Sequence, residues 1–206
     1  MNSSTFSYII FDLGGVLIDI DYHATRIAFE NLGFENFDDA YSQFQQEDLF
    51  DRFECGEISA QHFVNKVLPF CKQGTSPNQV VATWNAMLGD IPEEKIQLLE
   101  NLKGKKPYSL LSNTNILHLP GVQTAWKKVS KLGMGELFDQ IFLSFEIGKR
   151  KPDVATFQWV QNELKIKESE SILFIDDSPQ HIEGAKKAGW STHYYQDAKD
   201  FYALFS

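Results

Sequence analysis

The stretch "SYIIFDLGGVLIDID", residues 7 to 21, decides the fold. Tyr8–Phe11 is a short, continuous apolar run, which suits a strand covered on both faces of a parallel sheet better than a half-exposed one. The run stops on a carboxylate, Asp12, and two glycines, Gly14 and Gly15, come soon after it. A strand that ends on Asp and turns through glycine brings an acidic group to the sheet edge and lets backbone amides come close to whatever binds there.

Moving outward, similar runs occur at Tyr108–Leu111, Ile141–Leu143 and Ile172–Ile175, with a weaker one at Thr192–Tyr195. Helical patterns lie between them. "PDVATFQWVQNELKI" starts at Pro152 and places Phe157, Val160 and Leu164 on one face. "SPQHIEGAKKAG" has Ser178 at the N-cap, Pro179 at N1 and Gly189 beyond its end. Strands alternating with helices give an α/β fold, a doubly wound parallel sheet of Rossmann-like kind.

The interval after the first strand breaks that rhythm. Roughly ninety residues precede the second strand, far more than a simple crossover needs. They read as helices: "DYHATRIAFENLG" with Ala24, Ile27, Ala28 and Leu32 on a stripe and Gly33 at its close; "ISAQHFVNKVLPF" after Ser59 as N-cap; and "SPNQVVATWNAML" opened by Ser76 and Pro77. Residues 20–88 are therefore expected to form an inserted helical domain, and 1–19 with 89–206 the catalytic core. "IPEEKIQLLENLKG", with Pro92 at N1, returns the chain to the sheet.

The chain has 206 residues, 43% of them hydrophobic, with 17 Phe, enough for a substantial core. Its net charge of −9 disfavours nucleic acid or an anionic membrane as partner, but leaves room for a small anion held by a few local cations. Cys55 and Cys71 have no CxxC spacing and read as reduced thiols of a cytoplasmic protein. The N-terminus does not read as a signal peptide, and no apolar run is long enough to span a membrane. A monomer or weak dimer is expected.

Ligands of open α/β sheets bind beyond the carboxyl ends of the strands. Those ends carry Asp12, then Ser112-Asn113-Thr114-Asn115, then Lys149-Arg150-Lys151, then Asp176-Asp177. Each has an ordinary reading alone: a turn former at Asp12, a loop serine at Ser112, a solvated charge at Lys151, a helix cap at Asp176-Asp177. Together they suit phosphoryl transfer. A carboxylate can attack phosphorus and form an acyl-phosphate. Magnesium, bound by one or two carboxylates and a backbone oxygen, neutralises the charge that would repel it. A lysine and a hydroxyl can hold the phosphoryl oxygens as charge develops on them.

The motifs "FDLGGVL", "LLSNT", "GKRKPD" and "FIDDSPQHIEGAKKAG" resemble, in order, the four motifs of the haloacid dehalogenase (HAD) superfamily, most of whose members are magnesium-dependent phosphatases. The long helical insert after the first motif resembles the C1-type cap of subfamily I. "FDLGGVLIDID", "GEIS", "LSNTN" and "RKP" are similar to the branch containing bacterial α-D-glucose-1-phosphate phosphatases. The resemblance implies a central first strand and a cofactor, Mg2+. It implies Asp12 as nucleophile and metal ligand, Lys151 as catalytic cation and phosphate binder, and Ser112 and Asn113 as groups that place phosphate or substrate. Asp177 is implied as the main metal carboxylate, Asp176 as a second, and the Gly14 carbonyl as the backbone ligand. The expected reaction is hydrolysis of a small phosphorylated metabolite, a sugar phosphate, through an aspartyl-phosphate on Asp12.

One departure stands out. Most phosphatases of the superfamily carry a second aspartate two residues after the nucleophile, and here that position is Gly14. Its proton-donor role has no heir in the motif, so esters whose leaving oxygen departs easily unprotonated, sugar 1-phosphates and aryl phosphates, are expected to be preferred over 6-phosphates; the alternative is that Asp19, Asp21, His23 or His118 has taken over the role. His181 stands where Asp or Asn is usual and is read as lying behind the site or at the surface, not as a metal ligand. Two other readings compete. A 2-haloacid dehalogenase also uses an Asp nucleophile without the second Asp, but it needs no magnesium, and the Asp176-Asp177 pair argues against it. A catalytically silent HAD-fold binding protein is opposed by the retention of Asp12, Ser112, Lys151 and Asp177. Trp84, His118 and Glu57 are possible substrate contacts.

Overall fold

A computed structural model describes residues 3–34 and 48–205. Five parallel strands, β1 (Tyr8–Phe11), β2 (Tyr108–Ser112), β3 (Ile141–Leu143), β4 (Ile172–Asp176) and β5 (Ser191–Tyr194), form one sheet in the order β3-β2-β1-β4-β5. All four neighbouring pairs are parallel. The strands read from apolar runs are the strands found, within a residue at either end. β1 is central because its residues are apolar on both faces: Ile9 and Phe11 face one core cluster, Ile10 the other. That placement puts Asp12 between the ends of β2 and β4.

The helices, in chain order, are α1 (Tyr22–Asn31), α2 (Leu49–Glu54), α3 (Ala60–Val67), α4 (Pro77–Trp84), α5 (Glu93–Leu102), α6 (Leu119–Val129), α7 (Met134–Leu137), α8 (Ser144–Ile147), α9 (Val154–Glu163), α10 (Pro179–Lys187) and α11 (Ala198–Ala203). Local signals set most of their starts. Ser59 Oγ accepts from His62 N at 3.2 Å, and Ser76 forms a capping box with Gln79. Two starts shift by one or two positions: Pro92 is the N-cap of α5, not its first residue, and Asp153, accepting from Ala155 N at 3.0 Å, caps α9 after Pro152. In α1 the buried face is Thr25 and Phe29, with Ile27 exposed, so the stripe through Ala24, Ile27 and Ala28 points the wrong way. The aromatic ring outweighs the smaller side chains in deciding which face turns inward.

Helices α1 to α4 bury an apolar cluster of their own, Phe29, Phe34, Leu49, Phe53, Ile58, Phe63, Val64, Val67 and Val80. The expectation of helix throughout 20–88 includes residues 35–47, which lie outside the described residues. The chain leaves the sheet region and returns to it side by side: Ile20 bridges Leu88, Asp21 N donates to Met87 O at 2.9 Å, and Asp19 N donates to Asp90 O at 3.0 Å. No helix among the described residues is long and apolar enough to cross a membrane.

Candidate active site

The end of β1 presents Asp12, whose backbone N–H donates to Ile175 O of β4 at 2.9 Å and whose Oδ1 accepts from Leu13 N at 2.7 Å. The turn then needs Gly15, which has φ of +74°. A Cβ there would also collide with the Asp177 carboxylate, which leans over this turn.

The segment after β2 is pinned residue by residue. Thr114 exchanges two hydrogen bonds with Ser144 Oγ, both at 2.9 Å. Asn113 Nδ2 donates to Lys151 O at 2.8 Å, and Lys151 N donates to Asn113 Oδ1 at 2.9 Å. Asn115 Oδ1 accepts from Leu117 N and His118 N. Asn113, read as a phosphate or substrate contact, is thus engaged in fixing the backbone that carries Lys151, although it also lines the cavity. Ser112 is buried, and among the described residues its hydroxyl makes only a long 3.5 Å contact with the Asn113 carbonyl, which leaves it able to bind a ligand.

Lys151 is the centre. Its side chain is 0% exposed, and Nζ donates to Asp12 Oδ1 at 2.8 Å and to Asp176 Oδ2 at 2.7 Å. Gly184 lets α10 approach this segment, since a Cβ there would collide with the Pro152 carbonyl. Asp176 Oδ1 accepts from Ser178 N at 2.7 Å, at the start of α10. His181 Nδ1 lies 3.0 Å from both Asp176 oxygens. His181 therefore acts on Asp176, five residues away across the strand end and first turn of α10, a contact that sequence spacing does not announce. Asp177 is exposed.

Electrostatics are set by two buried carboxylates sharing one ammonium. Burial raises Asp12, Lys151 opposes it and the Asp176 charge adds to it, leaving Asp12 pushed up to about 8. Burial would raise Asp176 too, but Lys151 and His181 hold it below the usual carboxylate range. Lys151, despite burial, is held above its ordinary value by Asp12 and Asp176. Asp177 is raised by desolvation and by the Asp176 charge. The site is short of positive charge, and a hard divalent cation with oxygen ligands would supply it. Among the described residues, Asp12, Asp176 and His181 offer donor atoms within 4.8 Å of one another. The donor set fits a cation, with His181 in the compact group and Asp177 on its rim over Gly15.

A cavity of about 480 Å³ opens beside these groups. Leu13, Gly14, Ser112 and Asn113 form its floor; His23, Phe50, Glu54 and Trp84 line it from the helical side. Trp84 and His118, two of the possible contacts, line it, whereas Glu57 does not and pairs with Arg52 at 3.4 Å. Asp21 spends its side chain capping α1. Glu54, unremarked in the sequence, faces the cavity and sits 2.9 Å from Arg150 Nη2; Arg150 Nη1 reaches Asp51. Arg150 thus faces the helical region while Lys151, next in sequence, faces the carboxylates.

The model of the haloacid dehalogenase-like hydrolases matches residues 6–189. The chain belongs to that family. It is a hydrolase. It is 31% identical to a HAD-family enzyme of Bacteroides thetaiotaomicron solved with magnesium and inorganic phosphate, with a TM-score of 0.89 over 98% of this chain and 100% of that one. It is 25% identical to a D-ribitol-5-phosphate phosphatase of Bacteroides thetaiotaomicron, over 94% of this chain and 93% of the relative. It is 26% identical to a sesquiterpene phosphatase of Aspergillus oryzae, over 90% and 88%.

Proposed function

We propose that the protein is a magnesium-dependent phosphomonoester hydrolase that works through an aspartyl-phosphate on Asp12. The observation that carries this is the buried group Asp12–Lys151–Asp176 at the strand ends, beside the cavity floor that Ser112 helps to form. The relative bound to magnesium and inorganic phosphate supports it, as do relatives named as phosphatases. Asp12, Asp176 and His181, with Asp177 and the Gly14 carbonyl nearby, would hold the cation, which supplies charge neutralisation at the attacked phosphorus.

The chain's own residues do the rest. Asp12 attacks phosphorus along the direction fixed by Leu13 N and Lys151 Nζ. Lys151 and Ser112 stabilise the charge on the transferring oxygens. Water then cleaves the aspartyl-phosphate. With Gly14 carrying no carboxylate, the leaving oxygen needs another donor. His118 is unsuited, because burial pushes it down to about 4 and leaves it neutral near pH 7. Glu54 shares the cavity, and burial raises its carboxyl against the pull of Arg150, which suits it to the role. The substrate is a small phosphate ester, a sugar phosphate or related polyol phosphate.

The test is phosphate release from p-nitrophenyl phosphate and from sugar and polyol phosphates, with magnesium and with EDTA, and then acid quench and peptide mass spectrometry. Magnesium-dependent release with phosphate found on Asp12 is the expected result. Undiminished turnover in EDTA, or release of halide from 2-haloacids instead of phosphate, would overturn the reading.

A further inference from the structure

The cavity lining includes His118, whose hydrogen-bonding state the structure fixes. Asn85 Nδ2 donates to Leu117 O at 3.0 Å, so its Oδ1 is the atom turned to His118 Nδ1, 2.6 Å away. An amide oxygen accepts only, so Nδ1 carries the ring proton. His118 is 8% exposed. A neutral ring with its proton on Nδ1 has a bare acceptor at Nε2. Among the described residues, no hydrogen bond reaches Nε2. The ring itself is held flat against Trp84, with centroids 5.4 Å apart and planes at 10°. Trp84 is in turn packed on Phe50 and Phe63. His118 N is tied to Asn115, so the backbone is fixed as well.

We propose that His118 determines specificity by accepting, at Nε2, a hydrogen bond from a hydroxyl of the phosphate ester, so that the cavity selects sugar and polyol phosphates over esters of plain hydrocarbon chains. This rests on the phosphatase reading above and names the residue that would select the substrate of that site. Much of the remaining wall is apolar, with Ile18, Ile20, Met87, Leu88 and Val122, and alone it would accept a hydrocarbon chain. A hydrocarbon ester filling it would cover Nε2 with nothing to donate, and a buried acceptor without a donor is penalised, whereas a hydroxyl satisfies it. His118 cannot itself turn to find another partner, because Asn85 holds one edge of the ring and Trp84 one face.

The experiment compares kcat/KM for ribitol 5-phosphate with that for butyl phosphate and farnesyl monophosphate in the full-length protein with magnesium. Wild type should prefer the polyol ester. In His118→Asn, which can still reach Asn85 but has no acceptor at the Nε2 position, the ratio of polyol to butyl ester should fall tenfold or more. His118→Gln, whose amide oxygen extends to that position, should recover part of it. Equal losses on both esters, or a wild-type preference for farnesyl monophosphate, would overturn the proposal. Should the variants fail to fold, nitrogen-15 NMR of the wild-type imidazole decides it. Nδ1 should be protonated and Nε2 bare, with Nε2 shifting when ribitol 5-phosphate is added; a proton on Nε2, or no shift, overturns the proposal. If no ester is hydrolysed at all, the phosphatase reading fails, and the same NMR titration still reports on His118.

Discussion

The site has two walls built on opposite principles, a buried charged group set beside the cavity and a ring-lined side of the cavity itself. At the strand ends, charge is buried and paired: Lys151 between Asp12 and Asp176, and Asp176 held by Ser178 N and His181. On the facing side, shape is set by stacked rings, Phe50, Trp84 and His118, and by helices with an apolar cluster of their own. The first wall gains from low dielectric, where a misplaced partner is expensive, so its residues sit at the strand ends and on the segments next to them and are fixed by short hydrogen bonds. The second wall gains from packing, which tolerates exchange of one apolar group for another. Chemistry should therefore be lost steeply when the first wall is touched, and preference should shift when the second is, except at Glu54, the proposed proton donor, where rate is lost as well.

The sharpest break is Asp12→Asn. The change keeps size and leaves Lys151 its bond to Asp176, so the fold should survive. Removing the proposed nucleophile should lower kcat on the order of 10⁴-fold or more. Near wild-type turnover in protein shown by mass to be free of deamidation would show that the carboxylate wall is not where the reaction happens.

Lys151→Met probes the same wall through stability. It leaves two buried carboxylates facing each other with no cation between them. Stranding a buried charge typically costs about 3–5 kcal/mol. Denaturant unfolding in EDTA should show a loss of that order, and a loss below about 1 kcal/mol would mean that the three groups are not a buried unit.

The two walls also differ in how far the sequence discloses them. Strand ends are legible because a parallel sheet needs continuous apolar runs, and the residues that end those runs must share one edge of the sheet; Asp12, Ser112 and Asp176 are found that way, and Lys151 through the basic segment that follows β3. The order β3-β2-β1-β4-β5 places them together. The second wall draws single residues from α1, α2, α4 and the turn before α6, and no local pattern joins Trp84 to His118 or Glu54 to Arg150. Asn113 and His181 have roles that only contact reveals: an amide spent on a backbone, and an imidazole set on Asp176. Gly14 stays a departure in the motif, and the cavity shows which groups surround the gap.

A third measurement separates the walls by pH. Burial holds His118 at about 4 instead of its ordinary 6.5. Above 6.5 the ring is neutral folded or unfolded and contributes no pH dependence. Between 6.5 and 4 the unfolded chain takes up a proton that the folded one refuses, so stability falls as pH falls, by about 3 kcal/mol at most, and levels off below 4. His118→Asn lacks this loss. The stability gap between wild type and variant should therefore shrink between pH 7 and pH 4. Parallel stability curves would mean that His118 is not buried as a neutral ring.

The smallest effect should come from the join between the walls. Arg150 reaches Asp51 and Glu54 on α2 from the residue beside Lys151. The side chains involved are partly exposed, 29% for Arg150, 56% for Asp51 and 25% for Glu54. Water and salt screen such pairs, and each is worth no more than about 1 kcal/mol. Arg150→Gln keeps a polar group of similar reach but removes the charge, leaving Asp51 and Glu54 as neighbours of like sign. Stability should drop by about 1 kcal/mol in dilute buffer, and the difference from wild type should narrow at high salt. Because α2 carries Phe50 and the proposed proton donor Glu54 to the cavity, and Arg150 is the cation that opposes the raised Glu54 carboxyl, the change should raise KM and also shift the pH dependence of kcat, while the pairing of Asp12, Lys151 and Asp176 stays as it is. A salt-independent loss of several kcal/mol would place Arg150 in the buried charge system with Lys151, and would erase the division between a wall made of charge and a wall made of packing.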